Sequence, residues 1–147
     1  MAGKNNNFSS ALLAFLFNRT TGSWGDIFAD PSGALSNFYI ALHTADPTAA
    51  AANQTVNEVA YSGYARVAVP RDNVSFLVTG ATVRPLANID FPICISGSTI
   101  TATHWSIGTT AAGATSRILY SGAVTPNITI NTGTIPRLTT NSSVTES

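Results

Sequence analysis

Thr99-Ile100-Thr101-Ala102-Thr103-His104-Trp105-Ser106-Ile107, closed by Gly108, is the stretch whose reading decides the fold. Successive side chains of an extended strand point to opposite faces. Ile100, Ala102, His104 and Ser106 therefore share one face, and Thr101, Thr103, Trp105 and Ile107 the other. Other short stretches rich in strand formers surround it. Upstream lie Phe38-Tyr39-Ile40-Ala41-Leu42, stopped by the turn opener Asp46-Pro47, and Tyr64-Ala65-Arg66-Val67-Ala68-Val69, closed by Pro70. Val74 to Val78 and Ala81 to Arg84 flank Thr79-Gly80, which predicts a hairpin or a tight bend, and Ala87 to Phe91 follows. Downstream come Ser116 to Tyr120, Ile128 to Ile130 and Ile135 to Leu138. Short strands broken by frequent turn signals predict a mainly β chain, an antiparallel β-sandwich or jelly-roll-like barrel with a short N-terminal helix.

The helix is expected over residues 9–18. Ser9 or Ser10 can cap it, because a serine oxygen accepts a bond from an orphan backbone N–H. Its body, Ala11-Leu12-Leu13-Ala14-Phe15-Leu16-Phe17, is apolar on nearly every side, so it must bury itself on the chain's own sheet or against a neighbouring subunit. A loop with Gly22, Gly25 and the Asp30-Pro31-Ser32-Gly33 turn follows, stapled to the body by Trp24 and Phe28; Thr48 to Gln54 is read as a second loop. The organisation expected is a polar N-terminal arm over 1–8, one β-rich domain over 9–138 and a polar C-terminal tail over 139–147.

The chain has 147 residues, 44% hydrophobic and 10% charged, with zero formal net charge. The usual charged share is about 25%. So little charge gives weak protection against association, which points to a surface covered by partners. The neutral balance and the scattered arginines speak against nucleic-acid binding, which needs a basic patch. No apolar run approaches the roughly 20 residues that span a membrane. The apolar helix follows Lys4, as in a signal peptide, but Asn18-Arg19-Thr20 behind it is no small-residue cleavage site.

Catalytic constellations are missing. Cys94 is the single cysteine and lies in an apolar run, so it reads as a small buried hydrophobe. His43 stands three residues before Asp46, but no Gly-x-Ser-x-Gly elbow supplies a nucleophile, and a histidine bonded to a turn carbonyl is the favoured reading. Two histidines without ligand spacing make no zinc site, so no metal or cofactor is expected. Glu58 finds its natural partner in Arg66, as a structural salt bridge. Tyr61 and Tyr64 flank Ser62-Gly63; they form either an exposed binding platform or, as favoured, core packing with a covered sheet edge.

Several stretches together resemble a family of small virion proteins of tailed phages. They are Phe38-Tyr39-Ile40-Ala41-Leu42-His43-Thr44-Ala45-Asp46-Pro47, Asn57 to Val67, Phe91-Pro92, Thr103 to Gly108, Leu119-Tyr120-Ser121-Gly122 and the region of Pro126 and Ile135-Pro136. Members are often labelled tail-fibre or structural proteins, and related ones look like capsid decoration (cement) proteins. The resemblance implies a non-enzymatic protein on the outer surface of the virion capsid, binding the major capsid protein and stabilising the shell. The alternative it leaves is a tail-fibre or baseplate protein with a receptor-binding role. Self-association as a homotrimer is expected on the decoration reading. The interface residues expected are Leu12, Leu13, Phe15, Leu16 and Phe17 on the helix, with Tyr61 and Tyr64 on the body.

Overall fold

A computed structural model of the chain describes residues 5–20, 34–48 and 53–146. Its elements are α1 (Asn6–Asn18), β1 (Asn37–His43), β2 (Val67–Pro70), β3 (Phe76–Thr79), β4 (Thr82–Pro85), β5 (Ile89–Asp90), β6 (Ile100–Gly108), β7 (Ile118–Ile130), β8 (Arg137–Leu138) and β9 (Val144–Thr145). The chain is mainly β, with one N-terminal helix and antiparallel sheets, as its strand texture predicts. Backbone proximity divides it into two compact units. One comprises Met1–Ser36, Pro70–Asn88 and Leu138–Ser147, the other Asn37–Val69 and Ile89–Arg137. The expected Trp24–Phe28 staple and the Asp30–Gly33 turn lie outside the described residues.

In the first unit α1 packs on a three-stranded sheet ordered β3-β4-β9. Ser9, Leu13 and Phe17, four residues apart on one stripe of the helix, are all buried. Phe17 meets Phe76 of β3 edge to face at 4.9 Å. β3 and β4 form the predicted hairpin, with Thr79 opposite Thr82 and Gly80 at φ +59° in the two-residue turn.

The helix starts three residues earlier than expected. Asn5, not Ser9 or Ser10, is its N-cap, its side chain accepting from the Asn7 N–H at 2.8 Å, so Asn6–Phe8 belong to the helix and not to a polar arm. At the other end the orphan carbonyls find a buried cation. Arg71 donates through Nε to Leu16 O at 2.6 Å and through Nη2 to Phe15 O at 3.3 Å, while Nη1 reaches Leu35 O at 2.7 Å.

The polar tail is corrected in the same unit. Val144 is buried and pairs with Val83, and Thr145 with Thr82, which makes β9 the third strand. A lone valine among Thr, Asn and Ser leaves no compositional trace, yet one apolar side chain suffices to dock a strand on a sheet that is already formed.

The second unit carries a four-stranded sheet ordered β2-β1-β6-β7. β1 runs antiparallel to β6, with Leu42 opposite Trp105 and His43 opposite His104. Phe38, Ile40, Leu42, Trp105 and Ile107 share its apolar face and are buried. The alternation read from β6 is therefore the one observed.

Two stretches read as separate strands, Ser116 to Tyr120 and Ile128 to Ile130, form one 13-residue strand, β7. Gly122 and Pro126 suggest a break, but neither makes one. Gly122 sits opposite Trp105, whose Nε1 would be 3.2 Å from a Cβ there, so the ring covers the glycine and the strand continues. Pro126 lies in the bulge where β7 runs from Ala123 to Ile128 while β6 runs only from His104 to Ala102. An edge strand tolerates a residue without an N–H there.

Phe17 fills the centre of the first unit with no exposure. Phe17→Ala is expected to destabilise the protein by about 3–5 kcal/mol, measured by denaturant unfolding followed by circular dichroism. Phe15→Ala, at a half-buried position, should cost clearly less.

Candidate functional site

Where β1 meets β6, the face of the four-stranded sheet opposite its apolar core is polar and also buried. His43 ends β1, Ser106 lies on β6, Gln54 comes from the segment after Pro47, and Ser116 precedes β7; none of the four is exposed. His43 Nδ1 is 2.9 Å from Val56 O and its Nε2 is 2.8 Å from Ser106 Oγ. A carbonyl only accepts, so Nδ1 carries the proton and Nε2 accepts from the serine hydroxyl. Ser106 Oγ in turn accepts from Gln54 Nε2 at 3.1 Å, and the same amide donates to Tyr39 O at 2.8 Å. Ser116 Oγ donates to Gln54 Oε1 and accepts the N–H groups of Thr109 and Thr110 at 3.1 and 3.2 Å.

The space for the network is made by Gly108. A Cβ there would collide with Gln54 Oε1 and stand 2.6 Å from Ser116 Oγ. The Gln54 amide occupies the volume that any larger residue at 108 would take.

Beside the network lies an ion pair. Arg66 grips Glu58 with both ends of its fork, Nε to Oε1 at 2.7 Å and Nη2 to Oε2 at 2.8 Å. The arginine side chain is 2% exposed and the glutamate 16%, so the pair is largely desolvated. Nη1 also reaches Thr110 O at 3.1 Å, which ties the 109–115 loop to the same cluster. Tyr64 donates to Glu58 Oε1 at 3.0 Å and accepts the Leu42 N–H at 3.2 Å. Burial first, and then the glutamate charge, push its phenol far above the ordinary range. The salt bridge expected from sequence is thus present, with a tyrosine added.

The tyrosines do not form a platform. Tyr61 is 8% exposed and packs edge to face on Tyr64 at 5.3 Å, and Tyr64 stacks on Phe91. The Tyr61 hydroxyl donates to Pro92 O at 2.7 Å, and burial pushes its pKa up to about 12. Both rings point inward because Gly63, at φ +98°, turns the chain so tightly that a Cβ would be 2.7 Å from Ile93 O. The exposed apolar residues beside this turn are Ile93 and Ile95 instead. Their run, Phe91 to Ile95, looks uniformly buried in sequence, yet only Phe91 and Cys94 are hidden on the core side.

Of the helix residues expected at an interface, Leu13 and Phe17 are sequestered in the core of their own unit, so they offer no association face. Leu12, Phe15 and Leu16 are half-buried. The helix has covered its apolar stripe on its own sheet, the first of the two solutions its composition allowed.

Ser106, which sequence reading passed over, forms with His43 what looks like half of a nucleophilic dyad. Its hydroxyl is fully buried and accepts from Gln54, and the histidine's other nitrogen bonds a carbonyl, with no carboxylate to orient it. The arrangement is a structural brace that locks the 53–58 and 109–116 segments onto the sheet. His43 bonds a carbonyl, as its position suggested, although the serine 63 residues away has no local signal. Among the described residues no cluster of three His, Cys, Asp or Glu side chains stands ready to hold a metal.

Compared with known protein families, residues 5–146 match the family described as Podophage GP4 fiber I protein gp80. No curated protein matches the chain.

Gly108→Ala is expected to destabilise severely, by about 3 kcal/mol or more as overpacking of a filled site. Gln54→Ala, made in the same chain, should offset much of that loss, since it removes the atoms the methyl strikes. Denaturant midpoints of the two single variants and the double variant test the coupling.

Burial is the main cause holding the His43 imidazole below its ordinary range. The unfolded chain therefore takes up the proton first. Stability from this group is complete above about pH 6.5 and falls as the pH drops below that value, levelling off beneath the folded-state pKa. Denaturant midpoints between about pH 8 and about pH 5 should show the decline, and His43→Asn, though less stable throughout, should flatten it.

Proposed function

We propose a fibre role in the virion for this chain, which belongs to the Podophage GP4 fiber I protein gp80 family. It is a phage virion structural protein, and the family match over residues 5–146 is the observation that carries the finer reading. On this reading the chain is a non-catalytic building block of an appendage, held to other virion chains by surfaces and not by chemistry. Its physical character supports that. The buried brace of Gln54, Ser106, His43 and Ser116, with the Glu58–Arg66 pair, makes a stiff body of the second unit. The small number of charges suits a surface that other chains cover.

Capsid decoration, with the major capsid protein as partner, is the competing placement of the same structural protein. The two put the chain in different parts of the particle. Gold-labelled antibody against this chain, imaged on intact particles by electron microscopy, separates them. Label on the appendages at the tail is the expected result. Label spread over the head would sink the fibre reading and restore the decoration one.

A further inference from the structure

We propose that the brace of His43, Ser106, Gln54 and Ser116 is an acid-released latch: a proton on His43 Nε2 opens residues 53–56 and the 109–116 loop from the sheet, reversibly and without unfolding it. It does not depend on the fibre reading, because the direction of the hydrogen bonds carries it.

That direction is set from both ends. Val56 O only accepts, so it fixes a proton on His43 Nδ1 and leaves Nε2 to accept from the Ser106 hydroxyl. At the other end the N–H groups of Thr109 and Thr110 only donate, so Ser116 Oγ accepts both and turns its own proton to Gln54 Oε1. Between them Gln54 Nε2 donates to Ser106 Oγ and to Tyr39 O.

A proton on Nε2 adds one donor to a chain that is closed at both ends. The Ser106 hydroxyl then faces N–H groups from His43 and from Gln54, and among the described residues its oxygen has no other partner. Turning the Gln54 amide over moves the conflict without relieving it. Oε1 would then meet Tyr39 O, and Nε2 would meet Ser116 Oγ, which already holds two N–H groups. Water supplies the missing acceptor only when the segment lifts, because all four residues have no exposure.

The groups around His43 leave this balance in place. Burial is the main cause opposing the imidazolium. The Val56 carbonyl and Glu58, both on the segment that pairs with His43, favour it, while Arg66 before β2 and His104 opposite on β6 oppose it. Asp46, just beyond β1, is exposed and bonded to Thr48. Glu58 is held by both ends of the Arg66 fork, which keeps the segment attached beyond Val56 while Gln54 moves. The closed form thus resists the proton, and the open form, with its imidazole in water, takes it near about pH 6.5. Opening is suppressed above that pH, grows by up to about tenfold per pH unit below it, and levels off beneath the closed form's pKa.

Native-state hydrogen exchange of the full chain, followed by NMR amide by amide, tests the proposal. The reporters are the Gln54 N–H, bonded to Ser116 O, and the N–H groups of Thr109 and Thr110. Between about pH 7.5 and about pH 5 their protection factors should fall by about tenfold, while amides bonded between β1 and β6 keep theirs. His43→Asn, which has no titrating group at this position, should abolish the fall. Reporter protection that does not change with pH in the wild type, or that is lost together with the β1–β6 amides, overturns the proposal. So does a fall that persists in His43→Asn, since another group would then be driving it. The wild-type series decides by itself should that variant fail to fold.

Discussion

The second unit depends on a sheet whose centre, at β1 and β6, is buried on both faces but apolar on only one. Phe38, Ile40, Leu42, Trp105 and Ile107 close one side by removing apolar surface from water. On the other, Gln54, Ser106, Ser116 and His43 are equally buried, and each polar atom taken from water must be matched by a partner. The matching is complete: among the described residues no buried side-chain nitrogen or oxygen lacks a hydrogen bond. A network of this kind has one arrangement and no half-measures, because an unpaired member in a low-dielectric interior loses more than the bond itself. That constraint explains Gly108, the only residue type that leaves room for the Gln54 amide. It also explains why loops on both sides of the sheet are held by side chains as well as by backbone.

The first unit solves its problem differently. Its core is mainly apolar, built from Leu13, Phe17, Phe76, Val83 and Val144. Among the described residues its buried charge is Arg71, spread over the carbonyls of Phe15, Leu16 and Leu35. A guanidinium suits this place, since its fork supplies several donors to oxygens that the end of a helix leaves unsatisfied. Two of its arginines work inside: Arg71 at the end of the helix, and Arg66, which neutralises Glu58 and fastens a loop.

Much of the fold was legible because strands announce their faces locally. The alternation in β6, the hairpin at Gly80, the turn at Asp46-Pro47 and the Glu58–Arg66 pair all follow from residues within a short span. What sequence reading left open was partnership. Leu13 and Phe17 are apolar whether a sheet or a subunit covers them. Tyr61 and Tyr64 are amphipathic whether their hydroxyls face a receptor or Pro92 O and Glu58. Gly122 and Pro126 look like breaks until Trp105 covers the first and a bulge absorbs the second.

By itself, then, the sequence determined the class of structure: antiparallel strands, one apolar helix, a buried Cys94 and a chain without the charge or motifs of a nucleic-acid binder. Only the tertiary structure decided what each face meets. Ser106 became the partner of His43 across 63 residues, Val144 became a strand beside Val83, and Gln54 took the place that Gly108 leaves open. The reason is that backbone geometry writes the direction of a side chain into every two or four residues. The identity of its neighbour is set by closing long loops, and no local pattern records that choice.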